Sequence, residues 1–313
     1  MLVTGVSRYL GGQIAAQLSE DDSIERLIGV DVVPPRADVG RTEFVRADIR
    51  NPIIAKVIAS AQVDTVAHMS VIATPFGAGG RTAMKEINVI GTMQLLAACQ
   101  KAPSVRKLVV KSTTAVYGSS SRDPALFTEN MEPRGLPRSG YAKDSVEVEG
   151  YVRGLGRRRP DVDVTLLRFA NFIGPSIDTP LTRYFSLPVV PTVLGFDPRV
   201  QFLHESDGLE VLRRAVVEDH RGTFNVAGSG VLLLSQAIRR AGRTSFGFPS
   251  PAVTMVGSLF RRTGLVDFSP EQLRFLQFGR GVDTTRLHDD FGYVPRFDTV
   301  GAFDDFVAGT GLS

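Results

Sequence analysis

Several features that mark whole classes of protein are scarce or missing in this chain of 313 residues. Its one cysteine, Cys99, excludes an internal disulfide, and the apolar helical pattern around it favours a buried, inert thiol. The four histidines are scattered without metal-ligand spacing, so we expect no metal site. No apolar run approaches the roughly 18 residues of a membrane span, and no signal peptide is visible. We therefore expect a cytoplasmic protein without an integral membrane segment.

Charge and hydrophobicity exclude further classes. The net charge is only +3, which is not the strongly basic balance of a nucleic-acid-binding protein, so we expect no nucleic acid partner. Hydrophobic residues make up 43% of the chain and charged residues 22%, as in ordinary globular proteins. The length suits one large or two medium domains with a sizeable core.

The beginning of the chain carries a glycine turn between a strand and a helix. Met1–Val3 predicts a buried strand, and Gln13–Ser19 has the apolar spacing of a helix. Between them, Gly5 permits a tight turn and Gly11 permits close packing, so that backbone N–H groups and the helix N-terminus meet a phosphate. The pattern Thr-Gly-x-x-Gly-x-x-Gly is broken by Arg8, and such a turn can also be merely structural.

A carboxylate stands where a dinucleotide fold needs one. Asp31 closes the apolar part of a second strand pattern, Leu27–Val33, 20 residues after Gly11. At this place a carboxylate accepts hydrogen bonds from the adenosine ribose and repels a 2′-phosphate, which favours NAD over NADP. Arg8 or Arg36 could offset that charge. A surface aspartate at a strand end is the alternative, but together with the glycine turn we favour the ribose role.

Apolar strand patterns then alternate with helical ones along the chain. This alternation predicts an α/β fold, a doubly wound parallel (Rossmann) sheet with its ligand at the carboxyl ends of the strands. The further strands are predicted at Thr42–Ile49, Val63–Ser70, Lys107–Thr113 and Val164–Phe169, and helices at Ala83–Lys101 and Ala142–Gly154.

Two stretches resemble the active-site segments of a known family. Ser112–Gly118 (STTAVYG) and Ser139–Glu149 (SGYAKDSVEVE) are similar to those of the extended short-chain dehydrogenase/reductases, the NAD-dependent nucleotide-sugar epimerases and dehydratases related to UDP-glucose 4-epimerase. Shorter matches follow one another in the family's order, and together they cover most of the chain: Thr4-Gly5, Asp48-Ile49, His68–Val71, Asn88–Thr92, Arg168–Pro175, Phe202–Asp207, Asn225–Gly228, Val282–Arg286 and Phe291–Pro295.

The resemblance implies a role for each matching position. Tyr141 takes the place of the catalytic acid/base, Thr113 that of its hydroxyl partner, and Ser145 stands where the family has a lysine. Asn171 and Arg199 would contact the diphosphate of a UDP- or dTDP-hexose, and Thr114 would line the substrate site. The implied cofactor-binding residues for NAD are Gly5, Arg8, Tyr9, Leu10, Gly11, Asp31, Asp48, Ile49, Met69, Ser70, Val71, Asn88, Tyr141 and Phe172.

Ser145 is the most informative departure from the family pattern. In the family the lysine holds the nicotinamide ribose and lowers the tyrosine pKa, whereas an unperturbed tyrosine with a pKa near 10 is only about one-thousandth ionised at pH 7. Lys143 lies about 200° round the helix from Tyr141 and cannot easily substitute. Lys111 is a candidate replacement, because it lies two residues before Thr113 on the same face of a strand. A strand-end lysine that reaches solvent or an acid is the alternative, and we favour it.

The sequence supports two function hypotheses. The first is an NAD-dependent nucleotide-sugar epimerase or oxidoreductase; dehydration is disfavoured because Thr114-Ala115 replaces the Asp-Glu of the 4,6-dehydratases. The second is an NAD-binding protein without turnover, acting as a redox sensor or scaffold. The resemblance also implies a homodimer built on the helices near Ala83 and Tyr141.

Two domains are expected on the same resemblance. Residues 1–171 form the NAD-binding Rossmann domain, with 200–227 returning to it, and residues 172–199 and 228–313 form a smaller substrate-binding lobe. The lobe mixes phenylalanines with arginines, which could mark a membrane surface, a partner or a phosphate-bearing substrate; we favour phenylalanines packing a small core with solvated arginines. The residues concerned are Phe246, Phe248, Phe260, Phe268, Phe275, Phe278, Arg239, Arg240, Arg243, Arg261 and Arg262.

Overall fold

A computed structural model describes residues 1–73, 79–132, 137, 140–249 and 270–312 of the protein. The chain divides into two compact units. The first comprises Met1–Ser112, Asp144–Arg168 and Leu209–Phe224, and the second comprises Thr113–Lys143, Phe169–Gly208 and Asn225–Ser313. Phe260, Phe268, Arg261, Arg262 and Ser139, which the sequence singled out, lie outside the described residues.

The first six strands of the described residues fall at or near the positions that the apolar patterns predict, and the seven that follow were not predicted. In chain order they are β1 (Leu2–Thr4), β2 (Ile28–Asp31), β3 (Glu43–Arg46), β4 (Thr65–His68), β5 (Lys107–Thr113), β6 (Asp163–Phe169), β7 (Asn171–Ile173), β8 (Val189–Val193), β9 (Arg199–Val200), β10 (Phe202–His204), β11 (Gly222–Val226), β12 (Leu232–Leu233) and β13 (Thr244–Phe248).

The helices connect these strands. The α-helices of the described residues are α1 (Tyr9–Ser19), α2 (Ile53–Ser60), α3 (Arg81–Lys85), α4 (Thr92–Lys101), α5 (Gly140–Arg158), α6 (Pro180–Phe185), α7 (Glu205–Val217), α8 (Leu234–Arg240), α9 (Pro270–Phe278), α10 (Thr285–Asp289) and α11 (Thr299–Thr310). A π-helical segment, Glu86–Gly91, joins α3 to α4, so the helix predicted over Ala83–Lys101 is one continuous helical stretch with a widened turn.

One seven-stranded sheet organises the fold, in the order β11-β6-β5-β4-β1-β2-β3. Strand β1 pairs in parallel with β2 on one side and with β4 on the other, so the order reverses between β1 and β4. Such a reversal opens a crevice at the carboxyl ends of the two strands, where ligands of doubly wound sheets bind. The doubly wound parallel sheet predicted from the sequence is confirmed.

Burial explains why these short runs form the centre of the sheet. All three residues of β1 are buried, as are Ile28, Gly29 and Val30 of β2, and helices flank the sheet as they do in parallel sheets generally. β11 was not predicted, because Gly222–Val226 (GTFNV) is short and is not a continuous apolar run.

The second unit has a separate aromatic core. Phe185 packs edge-on against Phe202 and Phe303, with ring centroids 6.0 and 4.9 Å apart, and Phe306 extends the cluster from the same helix as Phe303. Of the phenylalanines singled out in the sequence, Phe275 is buried in this core whereas the Phe246 side chain is 58% exposed. The unit carries three two-stranded sheets, β10-β7, β12-β9 and β13-β8.

Candidate functional site

The glycine turn follows β1 directly at the strand-order reversal. Gly5 has φ +79°, and a Cβ there would lie 3.1 Å from the backbone of Met69 and Ser70, which follow β4. A Cβ on Gly11 would lie 2.1 Å from the carbonyl oxygen of Gly5. Gly5 therefore requires glycine because its positive φ is strained for other residues, and Gly11 requires it because no side chain fits. Helix α1 begins at Tyr9, so its first N–H groups, which have no intrahelical partner, open on this turn.

Asp31 is the last residue of β2 and faces the glycine turn. One carboxylate oxygen accepts hydrogen bonds from the Ser7 amide at 3.0 Å and the Ser7 hydroxyl at 2.5 Å, and the other accepts from the Val32 amide at 2.7 Å. The carboxylate is therefore fixed beside the turn, and the oxygen that accepts only from the Val32 amide keeps a lone pair for a further donor. A ribose hydroxyl would donate to that oxygen, and this role of Asp31 stays a prediction.

Arg8 occupies the N-cap of α1 without serving as a cap. Its backbone is extended, and its side chain makes no capping hydrogen bond. Among the described residues it has no ion pair within 4 Å, although Asp31 lies near enough to act on it electrostatically. Burial lowers the pKa of the guanidinium and the Asp31 carboxylate opposes that shift. Tyr9 and Leu10 follow it in the first turn of α1, with the Tyr9 side chain 36% exposed.

A buried histidine ties the two strands of the crevice to a helix. His68 accepts or donates through Nδ1 to the Thr4 hydroxyl at 2.9 Å and through Nε2 to the Thr92 hydroxyl at 2.8 Å. Because the Thr92 hydroxyl donates to the Asn88 carbonyl at 2.5 Å, the network assigns the proton to Nε2. Burial, with Lys111 as a second cause, lowers the pKa of His68 to about 3, so the ring is neutral at pH 7.

The loop after β4 is held by an amide from the π-helical segment. The Asn88 side chain accepts from the Ile72 amide at 2.7 Å and donates to the Ile72 carbonyl at 2.9 Å. These two hydrogen bonds to the backbone of Ile72 fix the loop of Met69, Ser70 and Val71, three of the predicted cofactor residues. Asn88 thus supports this loop, and its expected contact with the cofactor stays a prediction.

An ion pair with a buried carboxylate and a partly exposed guanidinium anchors the helix that carries Tyr141. The carboxylate of Asp144, 0% exposed, receives two hydrogen bonds of 2.6 Å from the Arg81 guanidinium and one of 3.4 Å from the Asn88 amide. Sequence reasoning missed this pair, because Arg81 and Asp144 are 63 residues apart and nothing local connects them. Ser145, at the family's lysine position, is also buried, in the same helix α5.

The other predicted cofactor residues of the first unit lie after β3. Asp48 is held by Arg50 through bonds of 2.6 to 3.0 Å, and hydrogen bonding from that guanidinium lowers the Asp48 pKa. Glu86 accepts from Arg50 on the other side, at 3.1 Å. Ile49 is buried, and its side chain packs where a Cβ on Gly91 would lie, 2.8 Å away.

Lys111 is a partly buried lysine in the middle of β5. Among the described residues its ammonium group makes no hydrogen bond and no ion pair, unlike Lys107 of the same strand, whose ammonium lies 2.8 Å from a carboxylate oxygen of Asp219. Burial lowers the pKa of Lys111 to about 8, and the nearby Arg8 guanidinium adds to the shift. The alternative favoured from the sequence was a strand-end lysine that reaches solvent or an acid; among the described residues no acid contacts the Lys111 ammonium, and the residue keeps partial exposure to solvent.

The predicted catalytic hydroxyl lies in the second unit. Thr113 is the last residue of β5, and its hydroxyl accepts from the Ala115 amide at 3.1 Å, which starts the short 3₁₀ turn Thr114–Tyr117. Thr114 is buried in that turn, where it is 3% exposed. Tyr141, in the first turn of α5, belongs to the same unit.

A cavity of about 420 Å³ also lies within the second unit. Two arginines line it: Arg199, which has no ion pair or hydrogen bond from its guanidinium among the described residues, and Arg280. The rings of Phe196 and Phe278 meet edge to face beside them, with centroids 5.5 Å apart. Neutral groups donate to the carboxylates that line the cavity: Asp197 accepts from the Ser235 amide and hydroxyl at 2.8 and 2.7 Å.

Arg199 was predicted from the sequence as a substrate-binding residue, but Arg280 was not. The missed residue lies two positions before the Val282–Arg286 stretch that resembles the family, so a signal was present. Its guanidinium donates to the Gly118 carbonyl at 2.8 Å and lies over the Phe275 ring at 5.3 Å. Asn171 and Phe172 lie elsewhere in this unit, in β7, where Phe172 packs against Phe169 with centroids 5.1 Å apart.

The model of the NAD dependent epimerase/dehydratase family matches residues 1–227. The chain belongs to this family. A Mycobacterium tuberculosis protein of uncharacterised function is 51% identical over 317 residues, which span 100% of this chain and 84% of that relative. The predicted family is thereby confirmed, and with it NAD as the family's cofactor.

Solved structures share the fold at low sequence identity. A UDP-glucose 4-epimerase from Thermotoga maritima superposes with a TM-score of 0.73 at 17% identity, covering 98% of this chain and 97% of that one. A UDP-glucuronic acid 4-epimerase from Bacillus cereus, solved with UDP-glucuronic acid and NAD, gives a TM-score of 0.74 at 17% identity, covering 99% and 98%. At such identities the likeness establishes the fold and leaves the reaction open.

Two kinds of site are absent from the described residues. They contain no group of three or more His, Cys, Asp or Glu side chains placed to hold a metal ion. No helix in the described part of the chain is long and apolar enough to cross a membrane. Burial raises the pKa of Cys99 to about 12, so its thiol is protonated and unreactive at neutral pH.

Proposed function

We propose that this protein binds NAD at the carboxyl ends of β1, β2 and β4 and acts on a nucleotide sugar as an epimerase or related oxidoreductase. The observation that carries the proposal is the glycine turn at the strand-order reversal, with the Asp31 carboxylate fixed beside it. The residues fit a dinucleotide. At Gly5 and Gly11 the turn is tight, because a side chain would meet neighbouring backbone, and Asp31 has acceptor capacity for a ribose hydroxyl.

The chain's own residues would divide the work as the family resemblance implies. NAD, when bound, supplies a reversible hydride acceptor. Tyr141 would move the proton of the sugar hydroxyl, and Thr113 would hydrogen-bond the same oxygen. Without a lysine at Ser145, the tyrosine depends on other positive charge to ionise at neutral pH. The proposed reaction is the epimerisation of a UDP- or dTDP-hexose at C4.

The cavity of the second unit supports a nucleotide-bearing substrate. Arginines bind phosphate through charge-assisted, bidentate hydrogen bonds, and Arg199 and Arg280 both line the cavity. The neighbouring ring of Phe196 or Phe278 offers an apolar face to a base. Residues 172–199 and 228–313 would bind the sugar nucleotide together with Asn171 and Thr114, which the resemblance assigns to the substrate. The rest of residues 1–171, with 200–227, would bind the dinucleotide.

The first experiment is nucleotide release from the purified protein. We expect acid to release NAD, or titration to show that NAD binds more tightly than NADP. UDP-glucose and UDP-galactose are then incubated with the protein, and conversion at C4 is followed by chromatography. Failure to bind either dinucleotide would sink the proposal, whereas binding without conversion would leave the second hypothesis, a redox sensor or scaffold.

Ser145→Lys separates the two hypotheses directly. If the site is otherwise intact, restoring the lysine raises kcat about tenfold or more, because a positive charge favours the ionised tyrosine. Lys143→Met is the matched control, since it changes charge on a different face of the same helix. If Ser145→Lys binds NAD but still turns over no sugar nucleotide, the result supports the second hypothesis, an NAD-binding protein without turnover.

The homodimer and the cytoplasmic location are further parts of the proposal. Three apolar side chains on the helical stretch of the first unit are exposed: Ile90 at 41%, Met93 at 36% and Tyr151 at 38%. They lie on the π-helical segment, α4 and α5, the helices that the resemblance assigns to a dimer. Analytical ultracentrifugation of the Met93→Lys variant tests this: a monomer is expected where the wild type is a dimer.

A further inference from the structure

Two cations without an anionic partner in contact stand close together in the first unit. Arg8 and Lys111 each lack a hydrogen bond or ion pair from their side chains among the described residues, and they are near enough to act on each other. Removing a charge from water without a partner is costly, and a second cation nearby adds to the cost. The two cations destabilise the protein when no ligand is bound, and this points to an anion that binds there.

Strand register places Lys111 on the row of residues that forms the crevice. Thr4 pairs with Val30 in β2 and with His68 in β4, and His68 pairs with Val110 in β5. One residue further along, Asp31, Gly5, Met69 and Lys111 are therefore level across four neighbouring strands. Paired residues of a parallel sheet point to the same face, so the lysine shares its face with Asp31. Arg8 follows Gly5 on the same carboxyl edge.

Arg8 is in the wrong place to stabilise its helix. The N-terminus of a helix carries a partial positive charge, so a cation there is unfavourable, and the preferred N-cap residues are Ser, Thr, Asp and Asn. The first turn of α1 has no acidic residue to balance it. Helix stability therefore does not explain an arginine at this position. The same helix end that repels the arginine attracts an anion.

We propose that Arg8 and Lys111 form a composite anion site that holds the diphosphate of the bound dinucleotide. The site departs from the usual family pattern, because Arg8 replaces the glycine of the usual turn and Lys111 lies on a strand, away from the helix position of the missing lysine. Lys111 thereby restores positive charge beside the cofactor, which Ser145 does not supply. The proposal rests on the NAD-binding part of the proposed function and not on sugar turnover.

The position of the pair favours the diphosphate over a 2′-phosphate. Strand order puts β4 and β1 between β5 and β2, so Lys111 lies about 14 Å, three strand spacings, from the strand that carries Asp31. The carboxylate of Asp31 itself would repel a phosphate on the ribose that it binds. Arg8, after β1, lies between the two, where a diphosphate crosses the glycine turn.

The test measures dinucleotide binding by calorimetry in the full-length chain. Lys111→Met and Arg8→Ser are each expected to weaken NAD binding roughly ten- to a hundredfold, as for loss of a charge-assisted contact. Lys107→Met is the matched control, because it removes the same charge from the same strand, where Asp219 already pairs with it, and it should bind NAD within about twofold of wild type. Inorganic pyrophosphate should compete with NAD in the wild type and fail to do so in both variants.

Thermal unfolding distinguishes a binding role from a structural one. Both Lys111→Met and Arg8→Ser should raise the Tm of the protein without nucleotide, because each relieves an uncompensated charge and serine is a good N-cap. Lys111→Arg should retain most of the NAD affinity. A lysine that only supports the fold would instead lower the Tm when replaced, without changing NAD affinity in the folded protein.

The outcomes separate this proposal from the proposed function. If Lys111→Met binds NAD as tightly as wild type, the composite site is wrong while NAD-dependent chemistry stands. If the variants lose NADP affinity only, the anion is a 2′-phosphate and the proposal is overturned. If NAD binding falls as expected but no sugar nucleotide is converted, the site stands and the epimerase reaction fails.

Discussion

The hydroxyl of Ser112 donates a 2.7 Å hydrogen bond to Oε1 of Glu149, and this bond joins β5 to helix α5. The same carboxylate is held by the Arg168 guanidinium, at 3.0 Å to Oε1 and 2.7 Å to Oε2. Glu149 is 2% exposed, so its charge is compensated almost entirely by these partners. Glu149, the last residue of the second stretch that resembles the family, is thus a structural anchor for the helix.

Removing this anchor is expected to destabilise the protein strongly. Glu149→Ala removes the buried carboxylate that the Arg168 guanidinium contacts and should lower the free energy of unfolding by about 3–5 kcal/mol. Urea unfolding followed by circular dichroism measures the change. Arg153→Ala is the control, because Arg153 contacts the same carboxylate from a 53% exposed position and should cost less than about 1 kcal/mol. Equal effects of the two substitutions would contradict the anchoring role.

The glycine turn predicts a sharp difference between two glycine-to-alanine substitutions. In Gly11→Ala the new Cβ would collide with the Gly5 carbonyl, so we expect loss of more than about 2 kcal/mol of stability and loss of NAD binding. In Gly150→Ala, on the exposed side of α5, the new Cβ meets no atom within 4 Å, and stability should rise by about 0.5–1 kcal/mol. Differential scanning calorimetry with and without NAD records both. An undisturbed Gly11→Ala protein would disprove the close approach.

His68 predicts a loss of stability in acid. Its folded-state pKa is about 3 against an ordinary value of 6.5, so the unfolded chain binds a proton between these values that the folded chain does not. The stabilising contribution of the neutral ring is therefore present above pH 6.5 and is lost as the pH falls toward 3, by on the order of 4 kcal/mol. Urea midpoints between pH 4 and 7 should fall less steeply in His68→Gln than in wild type. Parallel curves for the two proteins would show that the ring does not cause the slope.

The two cavity arginines should act on substrate affinity and leave the cofactor unaffected. Arg199→Ala and Arg280→Ala are each expected to raise the dissociation constant of a UDP-hexose about tenfold or more, because a charge-assisted phosphate contact is lost. Arg280→Ala should also lower the Tm, since its guanidinium donates to the Gly118 carbonyl, whereas the more exposed Arg199 should leave the Tm unchanged. Calorimetry with UDP alone serves as probe. Unchanged UDP binding in both variants would remove the cavity from the substrate site.

The sequence by itself determined the features that depend on local pattern. Short apolar runs such as residues 108–110 (LVV) of β5 are recognisable because a buried parallel strand is apolar on both faces, and glycines in a turn between a strand and a helix are recognisable because no other residue takes their place there. Gly5, Gly11 and Asp31 were found in this way. The order of many short motifs along the chain then pointed to the family, which the match over residues 1–227 confirms.

The tertiary structure decided which residues act on one another across long stretches of chain. Arg81 reaches Asp144 across 63 residues, and Lys111 shares an edge with Arg8 across 103 residues (111 − 8), because parallel strands bring distant segments level. No local pattern encodes such a meeting. The sequence showed that Lys111 lies on one face with Thr113, but only the strand register placed it beside the glycine turn, without an acid in contact and partly removed from water.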